Sequence, residues 1–285
     1  MEISIITPVY NGERFIRSCI QSVANQDRGN CEIEHLIIDG GSTDQTVEIV
    51  KDYADKYPHI RWLSEKDEGQ SDAMNKGFKM ARGRILGFLN ADDFYESGAL
   101  ARVCEMFKTL PEPSLLVGNC RVIDDVGKLL WLNKPNTKYY QLLQVWRFVM
   151  PNNASCYFYH RSLHDRIGEY DTQEHFVMDL DFLLHAVRAA HVAYLDETFG
   201  NYRVYPGTKT SVNAATGSQL DMICRVSRRH ARRSGLLYRF HVALGIALFR
   251  QSWRAVQKPS FFFRVKWRLM RDCQKLLDRF AETRE

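Results

Sequence analysis

The first 93 residues alternate between short apolar runs and amphipathic segments. The apolar runs predict buried strands, which fall at residues 2–7, 35–39, 60–63 and 84–89. The segments between them repeat apolar residues every three or four positions, which predicts helices at residues 15–23, 43–57 and 72–81. This alternation is typical of an α/β fold with an open, mostly parallel sheet and flanking helices.

The carboxyl ends of the predicted strands carry oxygen-rich residues. Parallel strands joined by right-handed crossovers end at one edge of the sheet, so these residues should converge there. The fourth strand runs directly into Asn90, Asp92 and Asp93. Adjacent carboxylates repel unless a cation lies between them, and such oxygens suit Mg²⁺ or Mn²⁺. The alternative is that these acids cap the helix predicted at residues 96–110.

The strand–helix alternation breaks after residue 93. Short apolar runs there predict further strands at residues 115–119, 121–124, 129–132, 154–159, 192–195 and 199–204. Helical spacing predicts helices at residues 138–146 and 175–190, and more helices follow residue 218. No internal repeat or long linker interrupts the chain.

Charge divides the 285 residues unevenly. Residues 221–285 hold 16 Lys and Arg against 5 Asp and Glu, whereas the whole chain has a net charge of only +5. We therefore predict a domain at residues 1–217 and a basic helical extension at residues 218–285. Residues 261–271 mix aromatic and basic side chains, which favours association with a membrane surface. The alternative is a helical hairpin packed on the body or on a dimer partner; nucleic-acid binding is not expected.

Cysteines and apolar runs predict the location of the protein. The seven cysteines follow no pairing pattern, which predicts free thiols in a reducing compartment. A first strand beginning at Ile3 leaves no room for a signal peptide, and no apolar run approaches the roughly 20 residues of a membrane span. The sequence thus predicts a cytoplasmic protein, peripheral on the inner face of the cell membrane if its basic extension binds lipid.

The first two loops lack the usual phosphate-binding glycines. Neither G-x-G-x-x-G nor a P-loop follows the first strand, which argues against a dinucleotide enzyme or an ATPase. Pro8, Tyr10 and Asn11 instead offer a ring and an amide suited to a nucleoside base. Asp39 could accept from a base N–H or a ribose hydroxyl, although Asp-Gly-Gly-Ser is also ordinary turn chemistry.

Four motifs, at residues 4–11, 37–44, 68–77 and 89–93, give the chain a specific resemblance. In this order and spacing they resemble the family-2 glycosyltransferases, inverting enzymes with the GT-A fold, and in particular bacterial polysaccharide-assembly members. The resemblance covers residues 1–210. It implies transfer of a sugar from a nucleotide-diphosphate donor, with a UDP-sugar favoured, to a carbohydrate or lipid-linked acceptor.

The same resemblance implies roles for residues on the donor side. Asn90-Ala91-Asp92 takes the place of the family's D-x-D motif, with Asp92 as the ligand of Mg²⁺ or Mn²⁺ and Asp93 beside it as a second candidate ligand. Arg203 and Lys209 would neutralise the diphosphate, since Met74 stands where many members carry an arginine. The predicted contacts to base, ribose and sugar are Pro8, Tyr10, Asn11, Asp39, Asp67, Asp72, Asn75 and Asn90.

The predicted catalytic base is Asp179. It matches the acid of the family's Glu-Asp motif, whose Glu is replaced here by Met178, and it would remove the proton of the acceptor hydroxyl. The alternative is that Asp179 only stabilises a helix dipole. Tyr205 stands where many members have a metal-binding histidine. Two competing functions are a nucleotidyltransferase that makes a nucleotide sugar and a degenerate scaffold of the same fold.

Overall fold

The computed structural model describes residues 2–135, 153–208 and 218–232, except 28, 30 and 175, together with residues 239 and 243. The strands are β1 (Ile3–Val9), β2 (Ile33–Asp39), β3 (Ile60–Ser64), β4 (Ile85–Phe88), β5 (Phe94–Tyr95), β6 (Ser114–Ile123), β7 (Leu129–Asn133), β8 (Tyr157–His160) and β9 (His191–Arg203). The helices are α1 (Ile16–Ala24), α2 (Thr46–Lys56), α3 (Gln70–Met80), α4 (Ala99–Phe107), α5 (Arg161–Ile167), α6 (Met178–Ala189) and α7 (Ser218–Arg232).

Within the described residues, the strands form one mixed sheet in the order β3-β2-β1-β4-β8-β6-β9-β5, and β7 pairs with β6. The four strands β1 to β4 are parallel to one another. The second half is mixed: β8 runs antiparallel to both β4 and β6, whereas β9 is parallel to β6. The predicted α/β fold class is therefore confirmed, and the parallel part of the sheet is its first half.

Burial explains why the strands of the first half could be predicted from the sequence. Every residue of β1, β2 and β4 is buried, because helices cover both faces of the sheet. One face packs against α1, α2 and α4 and the other against α3 and α6. Helix α3 approaches β1 so closely that a Cβ added at Gly77 would overlap the Ile6 side chain.

Several predicted boundaries were wrong. The first strand continues through Pro8 to Val9, because β4 pairs with β1 only as far as Ile6 and leaves one side of Pro8 without a neighbouring strand. The two strands predicted at 115–124 are one strand, β6, and those predicted at 192–204 are one strand, β9. Strand β5 and helix α5 were not predicted from the sequence, and the helix predicted at 138–146 lies outside the described residues.

The expectation of seven free thiols was wrong for two of them. The structure joins Cys31, just before β2, to Cys104 in α4 by a disulfide. Cys19, Cys120 and Cys156 are buried free thiols, as expected.

The chain divides into two units, Met1–Ser227 and Arg228–Glu285. The predicted boundary at residue 217 lies earlier, before α7, whose residues Ile223 and Val226 belong to the buried core of the first unit. Among the described residues, no helix combines the length and the apolar character needed to cross a membrane.

Candidate active site

The loops after β1 and β2 hold each other in place. The backbone N–H of Asn11 donates to Ser42 Oγ at 2.7 Å, and Asn11 Oδ1 accepts from the Thr43 N–H at 2.8 Å. Asn11 adopts a left-handed backbone conformation, with φ of 49°, which asparagine tolerates well. These contacts leave the Tyr10 ring 64% exposed beside a fixed loop. The arrangement is compatible with a base stacked on Tyr10.

Asp39 ends β2 as a buried turn residue. Its Oδ2 accepts from the N–H groups of Gly41 and Ser42 and from the Ser64 hydroxyl at 2.7 Å, and its Oδ1 accepts from the Ser42 hydroxyl. Asp39 therefore makes the hydrogen bonds of an ordinary turn, which was the alternative to a nucleoside contact in the sequence. Any contact of this carboxylate with a nucleoside would be additional to these bonds.

Asp67 and Asp72 lie on the same edge of the sheet. Asp67 lies so close to the β2–α2 turn that a Cβ added at Gly40 would overlap its carboxylate, and its Oδ1 accepts from the Gly69 N–H at 2.9 Å. Asp72 lies in the first turn of α3 and pairs with Lys76 at 3.2 Å. Burial opposes ionisation of Asp72, but its bond from the Glu68 N–H and the nearby lysine outweigh this and lower its pKa.

Asn75 was predicted to contact the donor, and its geometry argues against that role. Its Oδ1 accepts from the Tyr170 N–H and its Nδ2 donates to the Tyr170 carbonyl, both at 2.9 Å. The side chain is buried and both ends of the amide are used. Asn75 instead fixes the backbone beside α6 to helix α3.

Asp93 was predicted to help bind the metal, and its surroundings assign it a bracing role instead. The carboxylate is fully buried. Its Oδ2 accepts from the amides of Asn90 at 2.8 Å and Asn153 at 2.7 Å, and its Oδ1 accepts from the Arg203 N–H at 2.9 Å. Three donors bind its two oxygens and the carboxylate is fully buried, which favours a bracing role over that of a metal ligand. Asp93 does not cap α4 either, since that helix begins later, after Gly98.

Asp92 differs from its neighbour because it remains partly exposed. Its Oδ2 accepts from the Tyr205 hydroxyl at 3.2 Å. Burial raises the pKa of Asp92, while the Tyr205 hydrogen bond and the Arg203 charge act in the opposite direction. Burial, followed by the charge of Asp92, also raises the pKa of Asp93. A divalent cation at Asp92 would favour the ionised form of both acids, so the residues fit the expected metal.

Arg203 is held mainly by the protein itself. Its Nε donates to the Asp92 carbonyl at 3.0 Å, its Nη1 donates to the Asp125 carbonyl at 3.3 Å, and its guanidinium lies 4.4 Å from the centre of the Phe15 ring. The predicted contact with a diphosphate would have to be made in addition to these. Lys209 lies outside the described residues.

Asp179 lies in the first turn of α6, beside a group of buried tyrosines. Its Oδ1 is buried and has no hydrogen-bond partner among the described residues. Burial raises the pKa of Asp179 to about 6. Burial, and then the charge of nearby Asp179, also raises the pKa of the Tyr157 hydroxyl. A carboxyl group that titrates near neutral pH and has an oxygen without a hydrogen-bond partner suits a general base.

Two residues that shape the site were not predicted from the sequence. Gln70 Nε2 donates to Asn90 Oδ1 at 3.0 Å, and Asn153 bonds to Asp93. Gln70 lies inside the motif at residues 68–77, so the motif itself was a signal that it belongs to the site. Asn153 carries no comparable local signal.

Solved structures show which class of protein has this fold. The chain superposes on TarS of S. aureus with a TM-score of 0.63 at 20% identity, covering 87% of this chain and 43% of that one. The mannosyltransferase PcManGT of Pyrobaculum calidifontis gives a TM-score of 0.59 at 16% identity, covering 91% and 81%. The fold is therefore that of the GT-A glycosyltransferases.

Sequence comparison gives the family. The model of "Glycosyl transferase family 2" matches residues 4–168, more than half of the chain, and the chain belongs to this family. The uncharacterized glycosyltransferase EpsJ of Bacillus subtilis is 32% identical over 228 residues, which are 74% of this chain and 63% of EpsJ. A PGL/p-HBAD biosynthesis glycosyltransferase of Mycobacterium tuberculosis is 28% identical over 276 residues, 94% of this chain and 98% of the relative. The resemblance predicted from the four motifs is confirmed.

Proposed function

We propose that this protein is an inverting, metal-dependent glycosyltransferase. It would move a sugar from a nucleotide-diphosphate donor to a carbohydrate or lipid-linked acceptor during the synthesis of a cell-surface polysaccharide. The observation that carries the proposal is Asp179, whose Oδ1 accepts no hydrogen bond from the described residues and whose pKa of about 6 suits a general base. Asp92, partly exposed at the end of β4, supplies the complementary carboxylate on the donor side.

The transfer follows from these two acids. Asp179 accepts the proton of the acceptor hydroxyl as that oxygen forms a bond to the anomeric carbon of the donor sugar. The bond from this carbon to the nucleotide diphosphate breaks, and its electron pair goes to the departing diphosphate oxygen. Attack from the face opposite the nucleotide inverts the anomeric centre. Mg²⁺ or Mn²⁺ held by Asp92 would neutralise charge on the diphosphate.

The donor is proposed to be a UDP-sugar. TarS has been solved with UDP and with UDP-GlcNAc, and PcManGT with GDP-Man and Mn²⁺. These complexes support a nucleotide-sugar donor and a divalent metal. The exposed Tyr10 ring beside the fixed Asn11 loop offers a surface on which the base would stack.

A polysaccharide-related acceptor is supported by a further relative. Chondroitin synthase of Escherichia coli is 32% identical over 128 residues, which are 45% of this chain but 18% of that protein. The proposed location is the cytoplasmic face of the cell membrane, reached through the basic extension. Replacing the basic residues among positions 261–271 by glutamine should then weaken co-sedimentation with anionic vesicles, and unchanged binding would contradict this part.

A donor panel tests the proposed function. The full chain with Mn²⁺ should be stabilised against heat by one nucleotide sugar among UDP-, GDP- and dTDP-sugars, and should release the nucleoside diphosphate when an acceptor is added. Release of pyrophosphate from a nucleoside triphosphate plus a sugar phosphate would indicate a nucleotidyltransferase instead. Absence of binding to every donor would favour the scaffold.

A further inference from the structure

The loop that follows β1 ends in an exposed arginine, Arg14, shortly before helix α1. Neighbouring groups fix the backbone that leads to it. The Gly12 N–H donates to Thr46 Oγ1 at 2.8 Å, and the Glu13 N–H donates to Asp44 Oδ2 at 3.1 Å. The side chain of Arg14 is nevertheless 60% exposed. The backbone at Arg14 therefore has a fixed position, while its guanidinium group is in contact with solvent.

This loop lies against the loop that carries Asp92. A Cβ added at Gly12 would lie 3.6 Å from the Cβ of Ala91, the residue before Asp92. The guanidinium carbon of Arg14 lies 5.4 Å from the centre of the Tyr205 ring. The Tyr205 hydroxyl in turn donates to Asp92 Oδ2 at 3.2 Å. One tyrosine side chain thus separates the charge of Arg14 from the carboxylate that is proposed to hold the metal.

Arg14 and Arg203 contact the same aromatic ring but differ in how they are held. Their guanidinium carbons lie 4.6 and 4.4 Å from the centre of the Phe15 ring. Arg203 is only 8% exposed and donates to the backbone carbonyls of Asp92 and Asp125. Arg14 instead pairs with the Asp125 carboxylate at 3.0 Å, and that carboxylate is 40% exposed. Exposed ion pairs contribute little to stability, so Arg14 can exchange its partner at small cost.

We propose that Arg14 binds the diphosphate of the donor nucleotide, exchanging the Asp125 carboxylate for phosphate oxygens when the nucleotide binds. The planar guanidinium group can donate two parallel hydrogen bonds to a phosphate. A nucleoside diphosphate also carries more negative charge than one divalent cation on an aspartate neutralises. This inference rests on the proposed function and deepens it, because it assigns a residue to the phosphates of the donor.

Asp125 competes with the nucleotide in this arrangement. Its turn is fixed by the preceding acid, since Asp124 Oδ1 accepts from the N–H groups of Val126 at 3.1 Å and Lys128 at 2.8 Å. The Asp125 carboxylate is thereby held next to Arg14, and carboxylate and phosphate bind the same guanidinium group in turn. Competition predicts that removing this carboxylate strengthens nucleotide binding. A carboxylate that positioned Arg14 for the nucleotide would have the opposite effect.

Titration calorimetry of the full chain with Mn²⁺ separates binding of the phosphates from binding of the base. The ligands are the nucleoside diphosphate selected by the donor panel and the corresponding nucleoside. Arg14→Gln should weaken the diphosphate about tenfold and leave the affinity for the nucleoside unchanged, because the hydrogen bonds that it loses are to charged oxygens. Arg17→Gln removes the same charge from an exposed position in α1 and should change neither affinity.

Three results of this titration would overturn the proposal. An unchanged affinity of Arg14→Gln for the diphosphate would do so directly. Equal weakening of diphosphate and nucleoside would indicate a structural role for Arg14. A tenfold loss in Arg17→Gln as well would attribute the effect to net charge. If the unaltered chain binds no nucleoside diphosphate, the proposed function fails and this inference with it; if Arg14→Gln binds as well as the unaltered chain, only the role of Arg14 is wrong.

A double-mutant cycle tests the exchange of partners. Asp125→Asn should strengthen diphosphate binding about two- to fivefold, because Arg14 no longer has to leave an ion pair. The backbone carbonyl that accepts from Arg203 is retained in this variant. In an Arg14→Gln background the same substitution should have no effect. Unchanged or weaker binding in Asp125→Asn alone, or equal strengthening in both backgrounds, would overturn the exchange.

Discussion

The donor-side loops and the surroundings of Asp179 differ in how far their buried polar groups are hydrogen-bonded. On the donor side, Asn11 and Asp39 accept hydrogen bonds from neighbouring loops before any ligand is present. Around α6, Asp179 Oδ1 and the hydroxyls of Tyr157 and Tyr170 are buried and make no hydrogen bond at standard geometry within the described residues. The first region is preorganised by hydrogen bonds, and the second contains buried polar atoms without hydrogen-bond partners.

The difference has an energetic meaning. Each buried polar atom without a partner costs about 1–3 kcal/mol, so a fold tolerates several together chiefly where a ligand or water completes them. The donor loops instead stabilise themselves. Substitutions on the donor side should therefore lower stability together with binding, whereas substitutions near Asp179 should lower activity and leave the fold intact or more stable.

The largest expected effect comes from Asp179→Asn. If Asp179 is the base, the transfer rate should fall about 10²–10⁴-fold. The melting temperature should rise at pH 7, because the variant no longer buries an ionised carboxylate. Initial rates and thermal unfolding measure the two effects, and donor binding should be retained. Asp165→Asn, an exposed acid in α5, should change neither quantity. Near-normal turnover of Asp179→Asn would disprove the catalytic assignment.

Asp93→Asn should produce the largest loss of stability on the donor side. Replacing the carboxylate by an amide places an N–H group opposite one of the three N–H groups whose hydrogen bonds Asp93 now accepts, so two donors face each other. The free energy of unfolding should fall by about 2–4 kcal/mol, measured by urea denaturation. Asp92→Asn should change stability much less and abolish the binding of Mn²⁺. Equal stability losses in the two variants would contradict the division of roles between these neighbours.

The pH dependence should show the titration of Asp179. Because the base must be ionised, the transfer rate should fall about tenfold per pH unit below the pKa of about 6. The pKa is raised above the ordinary value of 3.8, so protonation of Asp179 stabilises the native state. That contribution is complete below pH 4 and disappears as the pH rises through 6. Unfolding measured from pH 4 to 7 should show this loss in the unaltered chain and not in Asp179→Asn.

Tyr205→Phe should have the smallest effect. Removing the hydroxyl frees Asp92 Oδ2 from its hydrogen bond at 3.2 Å while leaving the ring packed on Phe15. Affinity for Mn²⁺ should fall about tenfold, since residues that orient a metal-binding carboxylate typically contribute on this scale. Calorimetric titration of Mn²⁺ measures the change without catalysis. Tyr57→Phe serves as the control, and an unchanged Mn²⁺ affinity in Tyr205→Phe would remove Tyr205 from the site.

The sequence predicted the donor side better than the rest, for a physical reason. Buried parallel strands give continuous apolar runs, and their loops carry short motifs, so β1 to β4 and the position of Asp92 could be read locally. The bracing of Asp93 could not, because its partner Arg203 is 110 positions away and Asn153 is 60 away. Asn75 was assigned to the donor because it lies in a recognisable motif. Its contact with Tyr170, which is distant in the sequence, leaves no local pattern from which it could be predicted.

The contacts of the Asp93 carboxylate restrict how segments of different family members can be combined in one chimeric chain. It binds side chains or backbone from three separate stretches of chain, around Asn90, Asn153 and Arg203. A chimera that takes the donor half from this protein and the remainder from a relative must inherit compatible groups at all three positions.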